Sequence, residues 1–208
     1  MRHIVFLIRA ATLTLALGAS PAFAAADRTL LVFGDSLSAA YGLSPAQGWV
    51  ELAAARATAP WKIVNASISG ETTAGGVRRL AEDLRRHKPA VVVIELGAND
   101  ALRGQPIAAI RANLEKMISL TREARAEPVL VGLMIPPNYG IEYATEFRDL
   151  FPALARKHKV ALVPFLLQNV AERRELFQPD QLHPTAEAQP IILDNVWPAI
   201  AGAMKKAR

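Results

Sequence analysis

Five short apolar runs separated by amphipathic stretches constrain this 208-residue chain most strongly. Residues 30–33, 63–65, 91–96, 128–134 and 161–163 are too short for typical helices and end at glycine, proline or polar clusters, so they read as buried strands. Helical periodicity occupies the intervals, near residues 48–57, 73–87, 107–126, 142–157 and 186–204. Strict alternation of this kind predicts an α/β fold with a parallel sheet and helices on both faces. Right-handed crossovers then bring the carboxyl ends of all strands to one rim, where such sheets place their chemistry.

The residues just past each strand end therefore matter most. The first run opens into Gly34-Asp35-Ser36-Leu37-Ser38, which makes Ser36 a candidate nucleophile. A serine hydroxyl stays protonated at neutral pH and needs a base, most often a histidine oriented by a carboxylate. His87 and His158 each sit among arginines and lysines at a predicted helix C-terminus, where a cation complements the helix dipole. His183 instead lies in Pro179-Asp180-Gln181-Leu182-His183-Pro184, where a turn can aim Asp180 and His183 at one point. Taken alone, Asp180 and Pro184 are equally ordinary turn formers. Oxyanion donors are offered by Gly70, after the second strand, and by Asn99, after the third. Read singly, Gly70 is also a turn residue and Asn99-Asp100 a helix cap.

Taken together, Gly34-Asp35-Ser36-Leu37, Gly70, Gly97-Ala98-Asn99-Asp100 and Asp180-Gln181-Leu182-His183 resemble the four blocks of the SGNH (GDSL) hydrolases, in that family's order. The segments from Asn65 to Thr72 and from Pro137 to Gly140 resemble its bacterial periplasmic multifunctional esterase group, known as thioesterases, lysophospholipases and arylesterases. The resemblance runs from about Asp27 to the last helix. It implies a three-layer α/β/α architecture with a mostly parallel five-stranded sheet of flavodoxin-like type. It further implies Ser36 as nucleophile, His183 as base and acid, and Asp180 as its orienting group. The amides of Ser36 and Gly70 and the side chain of Asn99 would form the oxyanion hole. A carbohydrate O-deacetylase with the same triad is the alternative function.

Leu37, Ile68, Leu102, Ile135, Pro137 and Tyr139 flank these loops and are candidates for an apolar substrate groove, although core packing explains such residues equally well. Residues 72–76 include Gly75 and Gly76, so this stretch is either a mobile gate or a helix start. Asp35 and Asp100 are expected to hold loop backbone rather than act chemically.

The formal charge is +5, and Arg2 and Arg9 lie in the first 26 residues, which hold no acid. Without them the balance is about +3, with no basic stripe interleaved with aromatics, so no nucleic-acid partner is expected. Neither a Gly-x-Gly-x-x-Gly nor a Walker A pattern is present, which removes the reading as a nucleotide binder. A non-catalytic carrier would lack an essential group, and here none is missing. No metal-ligand spacing stands outside the triad, so neither metal nor cofactor is expected.

Residues 1–25 read as a cleaved signal peptide: early positive charge, an apolar stretch from residue 10 to 19, and the small-x-small site Ala22-Phe23-Ala24. Residues 26–208 then form one hydrolase domain in the periplasm or secreted, with no membrane anchor after cleavage, expected to be a monomer. Without cysteine, packing alone must hold it. The expected substrate is a small acyl ester or thioester.

Overall fold

A computed structural model describes residues 27–207; the proposed signal peptide lies outside them. Five strands, β1 (Arg28–Gly34), β2 (Trp61–Asn65), β3 (Val91–Glu95), β4 (Glu127–Val131) and β5 (Ala161–Val163), form one parallel sheet in the order β2-β1-β3-β4-β5. The central strands β1 and β3 are buried along nearly their whole length. They read as unbroken apolar runs because both faces of a parallel sheet are covered.

Among the described residues α1 (Trp49–Arg56), α2 (Thr73–His87), α3 (Ala98–Leu102), α4 (Ile107–Glu123) and α5 (Ile141–His158) lie between the strands, and α6 (Gln189–Lys206) follows the last of them. β1 crosses to β2 in one direction, whereas β2 crosses back over β1 to β3 and the chain continues outward to β5. With right-handed crossovers this reversal puts α1 on the opposite face from α2, α4 and α5. The contacts agree: α1 packs on α6, while α4 packs on both α2 and α5. Where the winding reverses, the helices diverge and leave a crevice outside the carboxyl ends of β1 and β3.

The core follows this layering. Leu30, Val32, Val91, Val93 and Ile94 on the sheet meet Trp49, Leu80, Ile110, Leu114, Phe147, Phe151 and Ile200 from the helices, all fully buried. Phe147 and Phe151 lie edge to face, with centroids 5.2 Å apart.

Two boundaries depart from the sequence reading. The predicted 128–134 strand ends at Val131, and the residues beyond it turn toward the crevice rim. The predicted last helix is preceded by a separate 3-10 turn, Ala186–Ala188.

Of the two readings of residues 72–76, the structure shows the helix start. Thr72 caps α2 by accepting from the Gly75 amide at 3.1 Å, and Gly75 and Gly76 are buried in its first turn. A Cβ on Gly76 would stand 2.6 Å from Leu96 Cδ1. Glycine is there because helix and sheet approach closely.

Candidate active site

At the end of β1 the chain makes one tight turn, in which the amides of Ser38 and Ala39 donate to the Asp35 carbonyl at 3.3 and 2.9 Å. Ser36 stands at the top of this turn. Below it, two buried carboxyls brace the backbone. Asp35 Oδ1 accepts from the Leu37 amide at 3.0 Å. Glu95, the last residue of β3 and the register partner of Gly34, accepts from Ser38 Oγ at 2.7 Å and from the Asp35 amide at 3.3 Å. Glu95 is fully buried, and its Oε1 has no hydrogen-bond partner. Burial, reinforced by the neighbouring Asp35 charge, pushes its carboxyl well above the usual range and so favours the neutral acid.

His183 arrives from the loop before α6. That loop folds back on itself: the Gln178 amide donates to the His183 carbonyl at 2.7 Å, and Gln178 Nε2 donates to the carbonyls of Tyr41 and Pro184. Gln181 takes a left-handed conformation at φ +57°, closing the turn. Asp180 Oδ1 accepts from the amides of Leu182 and His183, both at 3.0 Å, and its Oδ2 lies 2.7 Å from His183 Nδ1. On the other side of the ring, His183 Nε2 is 2.9 Å from Ser36 Oγ. The network fits one tautomer, with Nδ1–H donating to Asp180 and Nε2 accepting from the serine hydroxyl. Tyr41 stacks on the imidazole with centroids 4.3 Å apart.

Asn99 and Gly70 come from the other two strand ends. Gly97, at φ +127°, turns the chain out of β3 into α3, which carries Asn99. Asn99 Nδ2 donates to Asp35 Oδ2 at 3.0 Å, so one amide hydrogen is held and the other is free to serve the cleft that Asn99 lines. Gly70 sits at φ +78° with open space where a Cβ would lie, so the constraint there is backbone conformation. Its loop is pinned from two sides. Asp100 accepts from the Thr73 amide at 2.8 Å and from Thr73 Oγ1 at 2.6 Å, joining the loop to α3. Glu71 pairs with Arg79 at 2.7 Å, and Arg79 lies 3.8 Å over the Phe33 ring.

Ser36, Gly70, Asn99 and His183 thus line one open cleft of about 370 Å³, sited at the winding reversal. Its remaining wall is mainly apolar, from Leu37, Leu102, Ile135, Met134, Leu167 and Leu182. Of the groove candidates, Leu37, Leu102 and Ile135 are in this wall. Ile68, Pro137 and Tyr139 lie outside its lining: Pro137 faces a neighbouring hollow, and Ile68 and Tyr139 are 51% and 45% exposed. Adjacency in sequence to a candidate site loop does not set the direction of a side chain. Asp35 does more than hold backbone, since it also positions Asn99.

The sequence reading missed Glu95, Ser38, Tyr41 and Gln178. Only Glu95 carried a signal, as a carboxylate inside an otherwise apolar strand. His87 and His158 end α2 and α5 as expected, each followed by a lysine in the left-handed conformation. Among the described residues no group of three or more acidic or histidine side chains is arranged to hold a metal.

Residues 32–190 match the GDSL-like Lipase/Acylhydrolase family. The chain is 48% identical over 179 residues to Esterase TesA of Pseudomonas aeruginosa, covering 85% of this chain and 89% of that protein. It is 40% identical over 171 residues to Thioesterase 1/protease 1/lysophospholipase L1 of Escherichia coli K12, covering 82% of each. The crystal structure of the psychrotrophic esterase EstA from Pseudoalteromonas sp., inhibited by monoethylphosphonate, superposes with a TM-score of 0.80 at 39% identity, covering 86% of this chain and all of that one. These names do not favour the deacetylase alternative. The chain is therefore an ester-hydrolysing enzyme and belongs to the GDSL-like lipase/acylhydrolase family.

Proposed function

We propose that Ser36 is the nucleophile of this esterase, with His183 as its general base and acid and Asp180 as the group that orients and stabilises the imidazole. The observation that carries this reading is the chain of two short contacts, 2.9 Å from Ser36 to His183 and 2.7 Å from His183 to Asp180, at the mouth of an apolar cleft. His183 takes the Ser36 proton as Oγ attacks the acyl carbonyl. The negative charge that develops on the carbonyl oxygen is met by the amides of Ser36 and Gly70 and by the free Asn99 N–H. His183 then protonates the leaving alcohol or thiol, and water, activated by the same imidazole, releases the acyl group.

Because the wall offers apolar surface and few polar groups, the acyl chain is held mainly by burial. The proposed substrates are aryl and alkyl esters, acyl-CoA thioesters and lysophospholipids. The open mouth supports this breadth, since the leaving group extends into solvent. Residues 26–208 are proposed to act as one monomeric domain, exported and freed of residues 1–25. Among the described residues no helix is long and apolar enough to cross a membrane.

Ser36→Ala and His183→Ala test the assignment. Each is expected to lose hydrolysis of an aryl ester by about four orders of magnitude or more and to abolish labelling by an organophosphonate. Labelling of either variant at the wild-type rate would overturn it. N-terminal sequencing of the protein recovered from the periplasm tests export, with a mature start near Ala25 expected.

A further inference from the structure

The cleft recognises apolar groups, and its lining holds no arginine or lysine. Arg103 brings a cation to its edge. It is the residue after α3, adjacent to cleft-lining Leu102, and it is exposed. Its Nη2 donates to the Gly70 carbonyl at 3.4 Å. That bond is long and uses one donor of a planar fork that has several. Among the described residues Arg103 forms no ion pair, in contrast to Arg79 behind the same loop, which is engaged by both Glu71 and Asp83. An exposed guanidinium with unused donors therefore stands against the residue proposed as an oxyanion donor.

We infer that Arg103 binds a phosphate on the leaving-group side of the scissile ester, making the site selective for acyl esters of the glycerophosphate type. The inference rests on the esterase reading and extends it to the leaving group. Its physical basis is reach and shape. A guanidinium fork matches phosphate oxygens in a bidentate manner and stays charged at any working pH. Gly70 offers its amide to the carbonyl oxygen and its own carbonyl to Arg103, so the two recognised groups must be close in the substrate. A glycerol backbone separates an acyl ester from its phosphate by only a few bonds. In acyl-CoA the whole pantetheine arm intervenes, which carries the phosphates past Arg103 into solvent. A neutral monoacylglycerol has the same ester and no charge.

The test compares kcat/KM for lysophosphatidate, the monoacylglycerol of the same acyl chain and the matching acyl-CoA, all below micelle-forming concentrations, in the wild type, Arg103→Gln and Arg103→Lys. Arg103→Gln is expected to lower the lysophosphatidate-to-monoacylglycerol ratio about tenfold, as loss of a charge-assisted hydrogen bond implies. The loss should fall chiefly in KM and be partly restored in Arg103→Lys. Acyl-CoA should follow monoacylglycerol. Equal loss on all three substrates would overturn the inference and leave Arg103 as a prop for the Gly70 loop. A fall on acyl-CoA matching that on lysophosphatidate would equally overturn the glycerophosphate assignment. Turnover of the aryl ester with none of lysophosphatidate would overturn this inference alone, whereas a wild type inert on every ester would overturn the esterase reading with it.

Discussion

Asp180 lies on a surface loop with 41% of its side chain exposed, while Asp35, one residue before Ser36, is wholly buried. The same side chain is set to opposite purposes on the two sides of Ser36. At Asp180 the His183 amide, with the imidazole and the Leu182 amide, outweighs desolvation and holds the carboxyl down to about 2. At Asp35 burial dominates, and the Asp100 charge adds to it. The Leu37 amide, the Asn99 side chain and the His183 charge only partly offset them, so the carboxyl is pushed up to about 6. One carboxylate is therefore charged at neutral pH and faces the His183 imidazole. The other belongs to a scaffold with the buried Glu95 and Ser38 and the half-buried Asn99. The loop side supplies charge, and the sheet side supplies position.

The strongest way to break this comparison is Asp180→Asn. It preserves shape but removes the charge and favours the wrong imidazole tautomer, so turnover of an aryl ester is expected to fall about ten-thousandfold. Thermal midpoint is expected to fall only modestly, because the Asn oxygen can still accept from the Leu182 and His183 amides and the lost charge interaction is partly screened by solvent. If turnover fell less than tenfold, Asp180 would be a loop former only.

Asn99→Ala acts on the opposite side. Removing one oxyanion donor is expected to lower kcat by about 100- to 1000-fold, or roughly 3–4 kcal/mol, with KM little affected. A loss seen mainly in KM would place Asn99 in substrate binding instead.

The third measurement is the pH dependence of stability. A carboxyl whose pKa is raised on folding binds its proton more tightly in the folded state, so folding becomes less favourable as pH rises between the ordinary and the folded value. For Asp35 that window runs from 3.8 to about 6. A rise of about two units corresponds to about 3 kcal/mol. Urea midpoints for the wild type and Asp35→Asn should diverge across this window, with the wild type losing the greater stability as pH increases. Asp180 has the opposite sign: its stabilisation is present above 3.8 and lost as pH falls toward about 2. Parallel curves for wild type and Asp35→Asn would show that Asp35 is not a buried, raised carboxyl.

The smallest effect is expected for Glu95→Gln. A neutral acid and an amide share shape and charge, and the Gln oxygen can still accept from Ser38 Oγ and the Asp35 amide. Stability at pH 5 should stay within about 1 kcal/mol of wild type. A much larger loss would mean that Glu95 carries its charge in the fold.

Ser36, Gly70 and Asn99 were legible because an apolar run that stops at a glycine or polar cluster marks the carboxyl end of a parallel strand, and such ends share a rim. Asp180 and His183 were legible because a short stretch between two prolines forms a local turn. Tyr41 gave no such sign: its stacking on His183 joins positions far apart in the chain. Ile68 and Tyr139 were expected in the groove because they neighbour the candidate site loops, yet they are exposed outside it. Leu167, Met134 and Leu182 line the cleft without any motif to mark them.

The sequence by itself determined the alternation of strands and helices, the residue types at each strand end and the turn that pairs Asp180 with His183. These depend on local period, short-range hydrogen bonding and backbone preference. Tertiary structure alone decided that Glu95 supports Ser38 from another strand, that Asp35 holds the Asn99 amide, and which apolar side chains face the cleft. Those outcomes depend on strand register and on burial by distant elements, and burial is also what separates the raised Asp35 carboxyl from the lowered Asp180 one.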